Sequence, residues 1–146
     1  MKKSILIGLL VVLLTACGGS NATKKEQTPE LTTETKNQIA DVSTINIYYF
    51  HGKQRCKTCI AVGNVAEETV KSVYANHPNV KFIEVKTEEK QNEKLVEKYE
   101  VTWNALIIAK GDDKTDITKQ AFANALNNPE KLTEEIKTEV NKRLER

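Results

Sequence analysis

Residues 45–74 read INIYYFHGKQRCKTCIAVGNVAEETVKSVY, and this stretch decides the fold. Ile45 to His51 is β-branched and aromatic, and Gly52 ends it, which predicts a strand. Beyond it, Val62, Val65, Ala66, Thr69, Val70 and Val73 recur at helical spacing across residues 58–75. His77-Pro78-Asn79 stops that helix. Val80 to Val85 predicts a second strand, with Ile83 and Val85 on one face and Val80, Phe82 and Glu84 on the other. Strand, helix and strand over roughly 40 residues make a βαβ unit, whose strands should be parallel with a right-handed crossover.

Downstream, a short polar helix is expected around residues 89–99, with Leu95, Val96 and Tyr99 as its apolar contacts. Ala105 to Ala109 predicts a buried strand, Lys110 to Asp113 a turn, and Thr115 to Thr118 an edge strand pairing back. Two helices should close the chain. One covers residues 119–127. The other has Asn128 as N-cap and Pro129 at its first position, with Leu132, Ile136, Val140 and Leu144 at four-residue spacing. The expected class is α/β, a central mixed sheet with helices on both faces.

Upstream, the composition changes. Apolar residues are 39% of the 146, but 11 fall in residues 1–16, only 6 in residues 17–44, and 40 in residues 45–146. The last segment can bury a core. Residues 17–44, rich in Thr, Lys, Glu and Asn, read as a solvated tether spanning on the order of 30 Å. Lys2 and Lys3 form a positive n-region and Ile5 to Leu14 an apolar run too short for a membrane span, followed by Leu14-Thr15-Ala16-Cys17. That ending resembles the lipobox of bacterial lipoproteins. The resemblance implies cleavage before Cys17, lipid on Cys17, and a location at the cell or outer membrane facing out of the cytoplasm. The alternative is an uncut anchor with an incidental cysteine. On this reading the domains are a signal peptide (1–16), a lipid-anchored linker (17–44) and a folded domain (45–146) with a C-terminal helical extension.

Charge excludes more than it assigns. Lys plus Arg is 22 and Asp plus Glu is 20, and without Lys2 and Lys3 the two balance. There is no basic stripe for nucleic acid, and no P-loop, HExxH or EF-hand pattern. No cofactor is implied, and the chain is expected to be monomeric.

The remaining cysteines form Cys56-Lys57-Thr58-Cys59, between the predicted strand and helix. Amides and the dipole at a helix N-terminus stabilise a thiolate, the reactive form of a cysteine. Lys53, Arg55 and Lys57 push the same way. Cys56 is the expected nucleophile at the open end, and Cys59, one turn further in, the resolving thiol.

Residues 45–111 resemble a thioredoxin-like domain: strand, CxxC, long helix, strand, a short helix ending in Tyr99-Glu100-Val101, and a further strand. Tyr48-Tyr49-Phe50-His51 followed by Arg55-Cys56-Lys57-Thr58-Cys59 is similar to a thioredoxin-like lipoprotein subgroup, the ArsF family. That subgroup is labelled a nitrophenyl compound nitroreductase subunit and accompanies arsenic-resistance genes in Bacteroidota, although nothing in this sequence offers a flavin site. The sequence departs from the thioredoxin pattern in two places. Where thioredoxins place a cis-proline against the CxxC, this chain has Thr102-Trp103-Asn104-Ala105-Leu106, so a trans bond is expected at Asn104 and Ala105. Where they keep a buried Asp and a Lys for proton transfer, the matching places are Tyr49 or Phe50, and Glu84.

Several residues carry two readings. Glu84 can relay a proton to Cys59, or it is a solvated strand residue. His51 can join Cys56 and Cys59 as a third ligand for a soft ion, or lid the loop at the strand end. Trp103 can cover the disulfide or serve packing alone. Three functions follow from these residues. The leading one is thiol–disulfide exchange with a protein dithiol or disulfide partner. The second is binding of soft thiophilic ions such as As(III) through Cys56 and Cys59. The third is a non-catalytic interaction module.

Overall fold

The computed structural model describes residues 43–146. The signal, the lipobox with Cys17 and nearly all of the tether lie outside the described residues. The order is β1 (Ile45–His51), α1 (Lys57–Val73), β2 (Val80–Lys86), a single 3-10 turn (Lys90–Asn92), α2 (Glu93–Lys98), β3 (Ala105–Lys110), β4 (Asp113–Asp116), α3 (Thr118–Asn124) and α4 (Pro129–Leu144).

Four strands form one mixed sheet in the order β2-β1-β3-β4. β1 and β2 are parallel, with Ile45 opposite Val80 and Tyr49 opposite Glu84. β3 runs antiparallel to β1, and β4 antiparallel to β3. The central β1 is buried along its whole length, which is why its sequence lacks the polar alternation of a half-exposed strand.

Each face of the sheet has its own core. Ile45, Ile47 and Tyr49 of β1 join Val80, Leu106 and Ile108 beneath α1, α3 and α4. On the other face Tyr48, Phe50, Val85 and Ile107 pack with Tyr99, Leu95 and Val96 of the α2 region. The period-2 assignment of Ile83 and Val85 against Val80, Phe82 and Glu84 therefore holds. α4 begins as expected, with the Asn128 side chain accepting from the Lys131 amide at 3.3 Å and Pro129 in the first turn.

The edge strand differs from the expectation by two residues. It runs from Asp113 to Asp116, because Lys110 pairs directly with Asp113 across a two-residue turn at Gly111-Asp112. Gly111 holds φ 59 at the first central position, which lets the hairpin close earlier than a four-residue turn would. Ile117 follows, its amide still donating to the Leu106 carbonyl at 3.0 Å and its side chain buried in the larger core.

Candidate active site at the start of helix α1

The site is built where β1 ends and α1 begins. Cys56 is the N-cap of α1, in extended conformation, and its sulfur accepts from the Cys59 amide at 3.2 Å. Cys56 and Cys59 form a disulfide, with Cα atoms 5.0 Å apart. Cys56 is exposed and Cys59 is buried, so the two sulfurs are unequal in access. No acidic residue lies in the first turn of α1 to oppose negative charge on Cys56.

Beneath the pair, β1 supplies a brace. The Tyr49 hydroxyl donates to the Cys59 carbonyl at 2.6 Å. Burial pushes that hydroxyl above the ordinary phenol value while the Arg55 charge pulls against it, so Tyr49 stays a donor. The Arg55 guanidinium lies 5.4 Å over the Tyr49 ring and donates to Glu84 at 2.8 Å. The register that sets Tyr49 opposite Glu84 places both on the α1 face of the sheet. Phe50 points into the other core, which leaves Tyr49 as the residue behind the CxxC.

This arrangement also requires Gly63. A Cβ on Gly63 would stand 2.8 Å from Arg55 Nη2 and 2.9 Å from Tyr49 Cε1. A glycine inside a helix costs about 1 kcal/mol relative to alanine, and here it admits the arginine and the ring. That interior glycine is the sequence signal that marks the close approach.

The expected tuning residues separate on inspection. Lys57 is exposed at the first helical position. Arg55 lines the groove beside the disulfide, but its charge is shared with Glu84. Glu84 is 41% exposed and makes its contacts with Arg55 and His51; among the described residues it has no hydrogen bond to either cysteine.

His51 is the strand-end lid. It is buried, stacks on Tyr49 with ring centroids 5.4 Å apart, and donates from Nδ1 to the Gly52 carbonyl at 2.8 Å. Its Nε2 lies 3.1 Å from a Glu84 oxygen, not aligned as a hydrogen bond. Among the described residues no three His, Cys, Asp or Glu side chains gather where a metal ion could sit. Stacking and the Gly52 contact turn the imidazole toward Glu84.

Above the disulfide lies an open groove of about 680 Å³, lined by Gln54, Arg55, both cysteines, Trp103, Asn104, Thr118 and Phe122. Trp103 is 79% exposed and also lines an adjoining hollow with Gly52, Gln54, Thr87 and Thr102. Trp103 thus borders both hollows from an exposed position. The loop has no cis peptide bond, as the missing proline implied. The Asn104 amide reaches to 4.0 Å from the Cys59 sulfur. Thr118 and Phe122, from α3, were outside every sequence-based expectation for the site, because the sheet alone brings α3 to the end of α1.

No family model matches the chain, and no curated protein matches it. Among solved structures it is similar to one described as the structure of a malarial protein, at 20% identity and a TM-score of 0.38, over 51% of this chain and 82% of that one. It is similar also to the X-ray structure of Fasciola hepatica thioredoxin, at 25% identity and a TM-score of 0.35. That match covers 51% of this chain and 65% of the thioredoxin, just under two thirds of its length. The fold stands on its own connectivity. A CxxC between β1 and α1, a parallel β1–β2 pair and an antiparallel β3–β4 hairpin form a thioredoxin-like mixed sheet flanked by helices.

Proposed function

We propose that the protein is a thiol–disulfide oxidoreductase acting through Cys56 and Cys59. The observation that carries this reading is the unequal access of the two sulfurs at the head of α1: Cys56 exposed on a groove, Cys59 buried behind it. In the reducing direction the Cys56 thiolate attacks one sulfur of a partner disulfide and displaces the other as a thiolate, which takes up a proton. Cys59 then loses its proton and attacks the Cys56 sulfur of the mixed disulfide. The Cys56–Cys59 bond forms, the bond to the partner breaks, and the partner leaves as a dithiol. Two electrons pass from this protein to the partner. The reverse sequence oxidises a partner dithiol.

The finer placement belongs to the same proposal. The lipobox-like Leu14-Thr15-Ala16-Cys17 supports a lipid anchor on Cys17 and an extracytoplasmic domain on a tether. The segments Tyr48 to His51 and Arg55 to Cys59 support membership of the ArsF-like subgroup. A protein dithiol or disulfide is the proposed partner, because an open groove with an exposed aromatic at Trp103 suits a polypeptide better than a small thiol.

The deciding experiment is a Cys59→Ser trap combined with a redox titration against glutathione. The expected results are a mixed disulfide held on Cys56 and a potential within the range of about −270 to −120 mV spanned by redox-active members of such folds. A potential below about −300 mV with nothing trapped would mark a structural bond and overturn the proposal. Stoichiometric As(III) binding by the reduced protein, lost in Cys56→Ser and accompanied by no exchange activity, would replace it with the ion-binding reading.

A further inference from the structure

Cys56 and Cys59 draw their hydrogen-bond donors from different places. The Cys56 sulfur is served by the Cys59 amide at 3.2 Å, within the helix cap itself. Cys59 is only 4% exposed where it borders the groove, a setting that disfavours a thiolate. Among the described residues the one side chain that donates to its sulfur is Asn104, whose Nδ2 stands 4.0 Å away. Asn104 comes from the loop between α2 and β3, 45 positions along the chain, and lines both the groove and the adjoining hollow. The charged residue in the groove's lining is Arg55, and its guanidinium is held on Glu84 and over Tyr49.

We infer that Asn104 is a catalytic residue of the resolving step, donating from its amide to the Cys59 sulfur as that sulfur becomes a thiolate. The inference rests on the oxidoreductase reading and deepens it. A disulfide sulfur is a weak acceptor, so a contact of 4.0 Å does little in the oxidised protein. A thiolate is a strong one, and a hydrogen bond to a charged group is shorter and about twice as strong. Asn104 therefore stabilises the attacking form of Cys59 more than its resting form, which is the condition for accelerating that step. An amide also carries no charge of its own and cannot take the proton, so the Cys59 proton leaves to water in the groove.

Ellman's disulfide separates the two steps in the full-length protein, reduced and kept in detergent. Cys56 attacks it and releases one thionitrobenzoate; Cys59 then attacks the mixed disulfide and releases the second. In Asn104→Leu the second release is expected to slow about tenfold relative to the first, with its pH profile displaced upward. Asn104→Asp, nearly the same shape with a repelling charge, should slow the second step at least as much at neutral pH. Asn104→Gln, which keeps the donor, should recover part of the rate. Equal slowing of both steps by the leucine variant, or no slowing of the second, overturns the role of Asn104 and leaves the oxidoreductase reading standing. A wild-type protein that releases no second equivalent overturns both.

Discussion

At the residue scale, Gly63 shows how a neighbour reverses a helix propensity. Glycine to alanine inside a helix ordinarily gains about 1 kcal/mol. At Gly63 the new methyl would meet Arg55 and Tyr49 at 2.8 and 2.9 Å. Arg55 can swing away, but the Tyr49 ring is fully buried and tied to the Cys59 carbonyl, so it cannot yield cheaply. Gly63→Ala is therefore expected to destabilise by about 1–2 kcal/mol, seen as a lower urea midpoint with an unchanged slope. Gly52, where a Cβ meets nothing within 4 Å, is the control, and Gly52→Ala should leave the midpoint within about 0.5 kcal/mol.

At the element scale, α4 is fastened to the β3–β4 hairpin by Arg143, which is 2% exposed. Its Nη2 donates to Asp113 at 3.1 Å and Thr115 at 2.8 Å, and its Nη1 to the Glu139 carboxylate at 3.0 Å. Arg143 is the buried member; Asp113 is 43% exposed and keeps Arg146, and Glu139 keeps Lys142, so the partners stay compensated when it is removed. Arg143→Ala should cost about 2 kcal/mol through lost hydrogen bonds and packing, measured by thermal unfolding. Glu139 makes the same clamp sensitive to acid. Partial desolvation pushes its carboxyl up, but hydrogen bonds from Lys142, Arg143 and Thr115 outweigh that and hold it at about 2. The native state thus keeps this proton off longer than the unfolded chain does. The contribution is complete above pH 4.5 and is lost as pH falls from there toward 2. Glu139→Gln should flatten this limb of the stability curve by about 1–2 kcal/mol, allowing for screening by water.

At the scale of the whole molecule, the helices after β4 belong to the core and are not an appendage. Leu132, Ile136 and Val140 of α4 are fully buried in the same cluster as Ile45, Ile47 and Val62. Each such side chain is worth about 1.5–3 kcal/mol of burial, against a net stability of about 5–15 kcal/mol for a domain. A chain ending at Asn127 is expected to lose its cooperative unfolding transition, followed by circular dichroism on heating. The four-residue spacing of α4 marks an apolar face without naming what covers it.

The elements and the reactive pair are legible in local sequence. Continuous β-branched and aromatic runs locate β1 and β3, alternation locates β2, and the helical period locates α1 and α4, because each pattern is imposed by burial within a few residues. Cys56 and Cys59 are legible for the same reason, lying three apart at a strand-to-helix junction. The edge hairpin was read two residues late, since a single glycine with positive φ sets its register and polar Asp113 to Asp116 carry no apolar signal. Long-range packing set the surroundings of the sulfurs. It took Glu84 and His51 away from them, brought Tyr49 under one carbonyl, and set Asn104 and Phe122 in the groove. Those contacts join residues ten to more than sixty positions apart through sheet pairing and helix packing, and no local pattern encodes which distant side chain will fill a given space.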